Sequence, residues 1–349
     1  MWRRTADTGQ GPFSYGSGAR YVNVFFDFAR LRRYCYHIPT VIKSMPESPP
    51  DLEKLRRRID EIDDRLQDLL IERIKLVSGV AEAKRSNGGA AAHQPAREAA
   101  IIRRLIGRSR EFPPATLVRM WRELLSATVR QQGSFTVAVY APPEATGFWD
   151  IARDHYGSHT PMLPCRSTAQ VIRAVTDSQA ALGILPMPQE GDAHPDPWWR
   201  HLLSTHHDAP QVVARLPFGA RGNARSDGAD ALAIGRGPEQ ETGRDRTLIV
   251  TENAPDVSRG RMVSVFSDWG LPCRFIASSE HAEGVNTLLE IEGFVPRSDP
   301  RLESFRTRLG PALYRVLRLG GYAAPLSAEE LKPDAGDGLA SAGVAAAAS

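Results

Sequence analysis

The sequence is poor in cysteine, with Cys35, Cys165 and Cys273 the only three in 349 residues. An odd number at such wide spacing gives neither a disulfide framework nor a metal site. It suits a reducing cytoplasm. Long apolar runs are lacking too: no stretch approaches the ~18 residues that a bilayer-crossing helix needs. Charge of one sign is also scarce. The 44 basic and 41 acidic residues leave a net +3, which is no electrostatic footprint for nucleic acid. What remains, 42% hydrophobic and 24% charged residues, describes an ordinary soluble chain long enough for two or three domains.

The two ends differ from the middle. "RRTADTGQGPFSYGSGAR" has no apolar period, and the aromatic, basic "YVNVFFDFARLRRYCYHIP" lacks the order of a signal peptide. Regular patterning begins just after Met45, so residues 1–45 are expected to be a disordered or spurious leader, with translation starting at Met45. A short anchor or targeting arm is the alternative. The last stretch, "KPDAGDGLASAGVAAAAS", is small and of low complexity, which predicts a disordered tail over 327–349.

Between the ends, "DLEKLRRRIDEIDDRLQDLLIERIKLVSGVAEAK" predicts a helix from Asp51 to Lys84. With residues spaced about 100° around the axis, Leu55, Ile59, Ile62, Leu66, Leu69, Leu70, Val77 and Val80 all lie within about 60° of Arg73. Lys84 lies on that stripe as well. Such a helix, ~50 Å long at ~1.5 Å per residue, cannot bury its stripe alone. Two further helices are expected to cover it. "AREAAIIRRLIGRSR" puts Ile101, Ile102 and Leu105 on the face that Glu98 shares and Arg97 borders. "ATLVRMWRELLSATVRQQ" puts Leu117, Trp121, Leu124 and Leu125 on a stripe continued by Thr128 and Gln132. A lone cation at a core edge usually snorkels to water. Several polar groups aimed inward, with few acids to pair with them, instead make a pocket for a small polyanion.

These three stretches resemble the helices of the all-helical chorismate mutases in residue type, spacing and order. The resemblance implies an intertwined helical dimer with shared active sites. It implies conversion of chorismate to prephenate with no cofactor and no metal, and with neither nucleic acid nor membrane as a partner. By the same resemblance, Arg56 and Arg73 take the two carboxylates of the substrate, and Lys84 and Gln132 donate to its ether oxygen. Arg97 assists on the carboxylate side, Glu98 accepts from the hydroxyl, and Thr128 lies near the substrate. Lys84, Gln132 and Arg73 are the catalytic set. The family often has an acid three residues before the Arg97-Glu98 pair, where this chain has Gln94. Arg56 lies about 100° around the helix from Arg73 and 17 residues earlier, too far to share its pocket within one chain. That agrees with a residue reaching a partner's site.

The second half alternates strand and helix patterns. "FTVAVYAPPEATGFWDIARDHYG" reads as strand, loop and helix, and "STAQVIRAVTDSQAALGILPMP" as helix and strand. "QVVARLPF", "DALAIGR" and "RTLIVTE" are further strands. The alternation predicts an α/β unit with a largely parallel sheet. This region resembles the periplasmic-binding-like fold of prephenate dehydratases. "NTLLEIEGFVPRSDPRLESFRTRLGPALYRVLRLGGYAAP" resembles the second half of an α+β ACT regulatory domain. The catalytic motifs do not follow. Ala141 and Ala145 replace the glycines of the opening loop, and Gln189 and Glu190 stand where Asn and Ser are expected. Ala229, Asp230 and Ala231 align with the Thr-Arg-Phe motif. "ASSEHAEG" replaces the effector motif Glu-Ser-Arg-Pro, and His206 and His207 read as solvated loop residues.

The expected order is therefore a mutase domain at 46–133, a degenerate dehydratase-like domain at 134–245 and an ACT-like domain at 246–326. The expected function is a cytoplasmic chorismate mutase of phenylalanine and tyrosine biosynthesis with an inactive dehydratase-like half. The alternatives are a bifunctional mutase and dehydratase, or a non-catalytic regulatory partner of an aromatic-pathway enzyme.

Overall fold

The computed structural model describes residues 51–86, 93–108, 110–191, 196–204, 206, 208–225, 229–237, 240–282 and 284–333. The leader 1–45, His207 and the tail beyond 333 lie outside the described residues. The chain divides into two compact units, Met1–Glu61 and Ile62–Ser349.

Three helices come first: α1 (Leu52–Ser86), α2 (Pro95–Arg108) and α3 (Pro114–Gln132). Asp51 starts α1 by accepting the Glu53 backbone N–H on Oδ1 at 3.2 Å, which satisfies one of the free donors of the first turn. Long unbranched side chains then carry the helix through 35 residues. α3 opens on Pro114, whose missing N–H costs nothing at a first helical position.

The expected cover of α1 is not what forms. Leu55, Ile59, Ile62, Leu66, Leu69, Leu70 and Val80 are 38–60% exposed. α2 and α3 spend their apolar residues on each other and on the α/β half instead. Ala99, Ile102 and Ile106 pack with Val118 and Leu125 around Phe218 and Leu326. α3 therefore has two working faces. Leu117, Trp121 and Leu124 are half-buried, while Val118, Arg122, Leu125 and Val129 are buried.

The α/β half is built on one nine-stranded sheet of order β2-β1-β3-β5-β4-β9-β6-β8-β7. Its first strands are β1 (Val137–Tyr140), β2 (Met162–Cys165) and β3 (Leu182–Pro186), joined through α4 (Gly147–Tyr156) and α5 (Thr168–Thr176). β1 pairs in parallel with both β2 and β3, as helical crossovers require. The expectation of a largely parallel sheet fails after that. Among the described residues after β3 there is a 3-10 turn at Trp198–Leu202 and no α-helix before β4 (Gln211–Leu216), and no described helix joins β4 to β5 (Ala231–Gly235). Without crossover helices, β5 pairs antiparallel with both β3 and β4.

The remaining elements run β6 (Asp245–Asn253), α6 (Arg259–Asp268), β7 (Cys273–His281), β8 (Gly284–Glu292), α7 (Pro300–Leu309) and β9 (Leu313–Ala323). This βαββαβ run is fully antiparallel in the order β9-β6-β8-β7, a split βαβ arrangement. Met262, Phe266 and Phe305 of its helices pack on Ile249, Leu289 and Ile291 of the sheet. The opposite face meets Trp198, Trp199 and Leu202. The two half-sheets join where β9 runs parallel to β4 at the single pair Val212 and Gly320.

Candidate functional site

α2 is fixed to the α/β half by Arg103. Its guanidinium donates to Thr242 Oγ1 at 3.0 Å, Arg244 O at 2.9 Å and Ala324 O at 2.7 Å. One turn earlier, Glu98 is buried. Its Oε2 accepts from Arg122 Nη1 of α3 at 3.0 Å, and its Oε1 lies 3.8 Å from His93 Nε2, beyond hydrogen-bond length. Arg122 is 4% exposed and also stacks its guanidinium 5.1 Å over Phe218.

The surroundings of this pair are aromatic. The His93 ring sits 5.4 Å from Phe135 and 5.7 Å from Tyr156, and His155 sits 4.7 Å from Tyr156. Burial pulls the His93 pKa down, opposed by Glu98 and assisted by Arg122. Burial also drives His155 well below its ordinary value, with Arg122 and His93 adding to the effect. Both rings are therefore neutral near pH 7. Burial raises the Tyr156 phenol, so it keeps its proton. Among the described residues, His93 Nε2, Arg122 Nε and Tyr156 Oη have no hydrogen-bond partner. Each such orphan costs about 1–3 kcal/mol unless water reaches it.

The other expected site residues are placed as follows. Arg56 is exposed on α1 and pairs with Glu53 at 2.7 Å. Arg73 is half-buried, and burial lowers its pKa. The Lys84 side chain lies outside the described residues. Arg97 is exposed. Thr128 is buried and donates its Oγ1 to Leu125 O at 2.7 Å. Gln132 is half-buried and donates its Nε2 to Thr128 O at 3.1 Å. Thr128 and Gln132 thus share one face of α3. Among the described residues, no hydrogen bond or ion pair joins Arg73 to Glu98, Thr128 or Gln132.

Sequence reasoning missed Arg122, the partner of Glu98. The signal was there: Val118, Leu125 and Val129 surround it at helical spacing, so it is a cation on an apolar face just as Arg73 is.

With this geometry in place, the helices can be compared with known proteins. Residues 55–133 match the family of chorismate mutases of type II. The sequence motifs resemble that same family. Among curated proteins, the chain is similar to the bifunctional chorismate mutase/prephenate dehydratase of Aquifex aeolicus (strain VF5). The two are 32% identical over 142 residues, covering 39% of each chain. The bifunctional chorismate mutase/prephenate dehydratase of Pseudomonas aeruginosa is 27% identical over 141 residues, covering 39% of this chain and 38% of that one. The matches thus span about two-fifths of the length of these relatives. Among solved structures, a prephenate dehydratase from Streptococcus mutans aligns with 55% of this chain and 98% of its own, at 16% identity and a TM-score of 0.41.

In the α/β half, the position expected to align with the Thr-Arg-Phe motif is tightly held. Asp230, just before β5, accepts from Arg215 at 2.9 Å and from Arg221 at 2.8 Å, one guanidinium on each oxygen. Glu190 pairs with Arg259 at the start of α6. His206 is exposed, and its Nδ1 accepts the Asp208 backbone N–H at 3.3 Å. Among the described residues, no group of three or more His, Cys, Asp or Glu could hold a metal ion. No described helix is long and apolar enough to cross a membrane.

Proposed function

We propose that the helical region converts chorismate to prephenate as a homodimer in the cytoplasm, with residues 46–133 as the catalytic domain. The observation that carries this reading is positional. The matched stretch, 55–133, contains every one of the expected site residues: Arg56, Arg73, Lys84, Arg97, Glu98, Thr128 and Gln132.

The chemistry asks for no cofactor. A Claisen rearrangement happens within one molecule, so no nucleophile is consumed and no proton need move. The protein must hold a dicarboxylate in its compact conformer and place donors where negative charge grows on the ether oxygen. Guanidinium forks at Arg56 and Arg73 suit the carboxylates. Lys84 and Gln132 supply the donors at the ether oxygen. Glu98 has one oxygen on Arg122 and leaves Oε1 to accept the substrate hydroxyl.

A second copy of the chain supplies the cover that α1 lacks. Covering what remains exposed of each leucine or isoleucine of the stripe would contribute about 1 kcal/mol, roughly half of the value for burying a fully exposed side chain. Arg56 then acts in trans, in the site of the second copy. Behind the helices, residues 134–245 serve as a catalytically silent dehydratase-like domain. At Asp230 both carboxylate oxygens are already taken by the guanidiniums of Arg215 and Arg221. We read the βαββαβ run within 246–326 as the ACT-like module and assign it to assembly.

The test is to give chorismate to the full-length protein and assay prephenate and phenylpyruvate separately. Prephenate that accumulates, without phenylpyruvate above the uncatalysed background, is expected. No loss of chorismate would overturn the mutase reading. Enzyme-dependent phenylpyruvate would overturn the silent half.

A further inference from the structure

One face of the joined sheet changes character along its strands. Val250, Leu248 and Leu288 are apolar and buried under Trp198 and Trp199. One or two residues further on, the same face turns to charge. Adjacent register brings Tyr322, Arg246 and Glu292 into one row across β9, β6 and β8. The next row brings Glu290 opposite Arg274 on β7. Arg246, Glu292, Glu290 and Arg274, together with Arg215 of β4, line a cavity of ≈ 560 Å³ walled on its apolar side by Pro272, Ala324 and Pro325.

The charges around this cavity are unequal. Glu290 is 3% exposed and fully committed. Its Oε2 accepts from Arg274 Nε at 2.5 Å, and its Oε1 accepts from the Tyr322 hydroxyl. Burial opposes its ionisation, but these two partners outweigh burial and keep it a carboxylate. Arg215 is held by Asp230, which it shares with Arg221. That leaves Arg246. It is one-third exposed, and its contacts are a 3.4 Å approach to the mostly solvated Glu292 and a 3.4 Å approach to the carbonyl of Asp245. Three guanidiniums, Arg215, Arg246 and Arg274, thus line the cavity with two carboxylates, and Arg246 is the one whose ion-pair partner, Glu292, is mostly solvated and 3.4 Å away.

We propose that this cavity binds a small organic monocarboxylate with an apolar body. Its carboxylate takes the fork of Arg246, and its body lies against Pro272 and Pro325. A fork of parallel N–H donors matches a planar carboxylate better than it matches a tetrahedral anion of the same charge. The cavity volume falls in the range typical of small-ligand pockets. Glu290 of its lining is already held by Arg274 and by the Tyr322 hydroxyl, so that carboxylate needs little ordering on binding. The site is separate from the three helices and does not depend on the mutase reading.

The experiment is isothermal titration of the full-length chain with 3-phenylpropanoate, with 3-phenylpropan-1-ol and inorganic phosphate as comparison probes. Saturable binding of the carboxylate is expected, with no binding of the alcohol and none or weaker binding of phosphate. Arg246→Gln should weaken binding at least tenfold and leave the melting temperature within a degree or so, because its partner Glu292 is exposed. Glu292→Gln should strengthen binding a few-fold, because it frees Arg246 from a competing carboxylate. No saturable binding of 3-phenylpropanoate, or equal binding by the alcohol, would overturn the proposal. Tighter binding of phosphate would overturn the carboxylate assignment. Unchanged affinity in both variants would place the ligand elsewhere.

Discussion

Arg122 of α3 places its Nη1 3.0 Å from Glu98 Oε2 of α2, and both side chains are at least nine-tenths buried. The pair sits where the helical region meets the α/β half, with Phe218 of that half stacked on the guanidinium. It therefore ties an expected substrate contact to the fold behind it. Removing one partner leaves a buried charge uncompensated, which typically costs about 3–5 kcal/mol. Arg122→Met is expected to lose stability on that scale in urea denaturation at pH 7. The double variant Arg122→Met with Glu98→Met should recover most of it, since apolar replacement of a buried pair is often neutral. Equal losses in the single and double variants would show that packing of the Arg122 side chain, not charge, holds the helices here.

The histidines beside that pair predict an acid-side loss of stability. His155 and His93 have folded pKa values below the unfolded value of 6.5. Below pH 6.5 the unfolded chain takes up protons that the folded chain refuses, so stability falls as the pH drops through that value. Each histidine contributes a slope of up to about 1.4 kcal/mol per pH unit. Between pH 6.5 and 5 the carboxylates have scarcely begun to titrate, so this window reports the histidines. Denaturation midpoints taken across it should fall for the wild type and fall less steeply for His155→Phe. Parallel slopes would mean that His155 is protonated in the folded state.

Much of this architecture was legible in the sequence. The three helices follow from apolar spacing, and their bounds agree within a residue or two because Asp51, Pro113-Pro114 and Gly133 punctuate them. The strands of β4, β5 and β6 were equally plain as short apolar runs, β-branched in β4 and β6. Two things were not legible. Whether strands pair parallel or antiparallel depends on what joins them, and the described residues between β3 and β4 form no α-helix, just a 3-10 turn. The destination of an apolar face is also a tertiary matter. The apolar residues Ile102, Ile106, Val118 and Leu125 of α2 and α3 go to Phe218 rather than to α1. Glu98 was found by resemblance and Arg122 was not, although the same wheel argument applies to both.

The join between the half-sheets rests on one residue without a side chain. Gly320 has φ +141°, and a Cβ there would stand 2.3 Å from Val212 O and 2.4 Å from Val212 N. Both obstacles are backbone, so neither can swing away. Gly320→Ala is expected to cost well over 1 kcal/mol and to speed amide exchange in β4 and β9. Gly260→Ala, in α6 with open space around it, is the control and should be neutral or slightly stabilising. Unchanged exchange in β4 would mean that the two half-sheets do not depend on this contact.

The exposed stripe of α1 predicts assembly. Leu66 and Leu69 are 51% and 60% exposed in the single chain. A patch of this kind is rarely left in water. Sedimentation of the full-length protein should report a dimer, and Leu66→Asp combined with Leu69→Asp should give a folded monomer without mutase activity. Arg56→Ala and Arg73→Ala chains, each inactive alone, should regain some activity when mixed, because one site of the mixed dimer carries both arginines. A fully active monomer would refute the shared site.

Gln132 gives the sharpest test of the chemistry. Its Nε2 donates to Thr128 O at 3.1 Å, a bond within its own helix that a better acceptor can displace. An amide donates at every pH, whereas a carboxyl donates only when protonated. An ionised Glu at this position would oppose the charge that grows on the ether oxygen. The wild type should therefore keep its rate through neutral and mildly alkaline pH. Gln132→Glu should fall by on the order of 10²-fold at neutral pH, the usual cost of one aimed donor. It should recover as the pH falls towards that of a protonated carboxyl. Lys84→Ala should be near inactive at all pH values. The measurement is kcat/KM for chorismate against pH, for the wild type and both variants. A Gln132→Glu profile that overlays the wild type would mean that Gln132 does not touch the ether oxygen, and α3 would present a different face to the substrate.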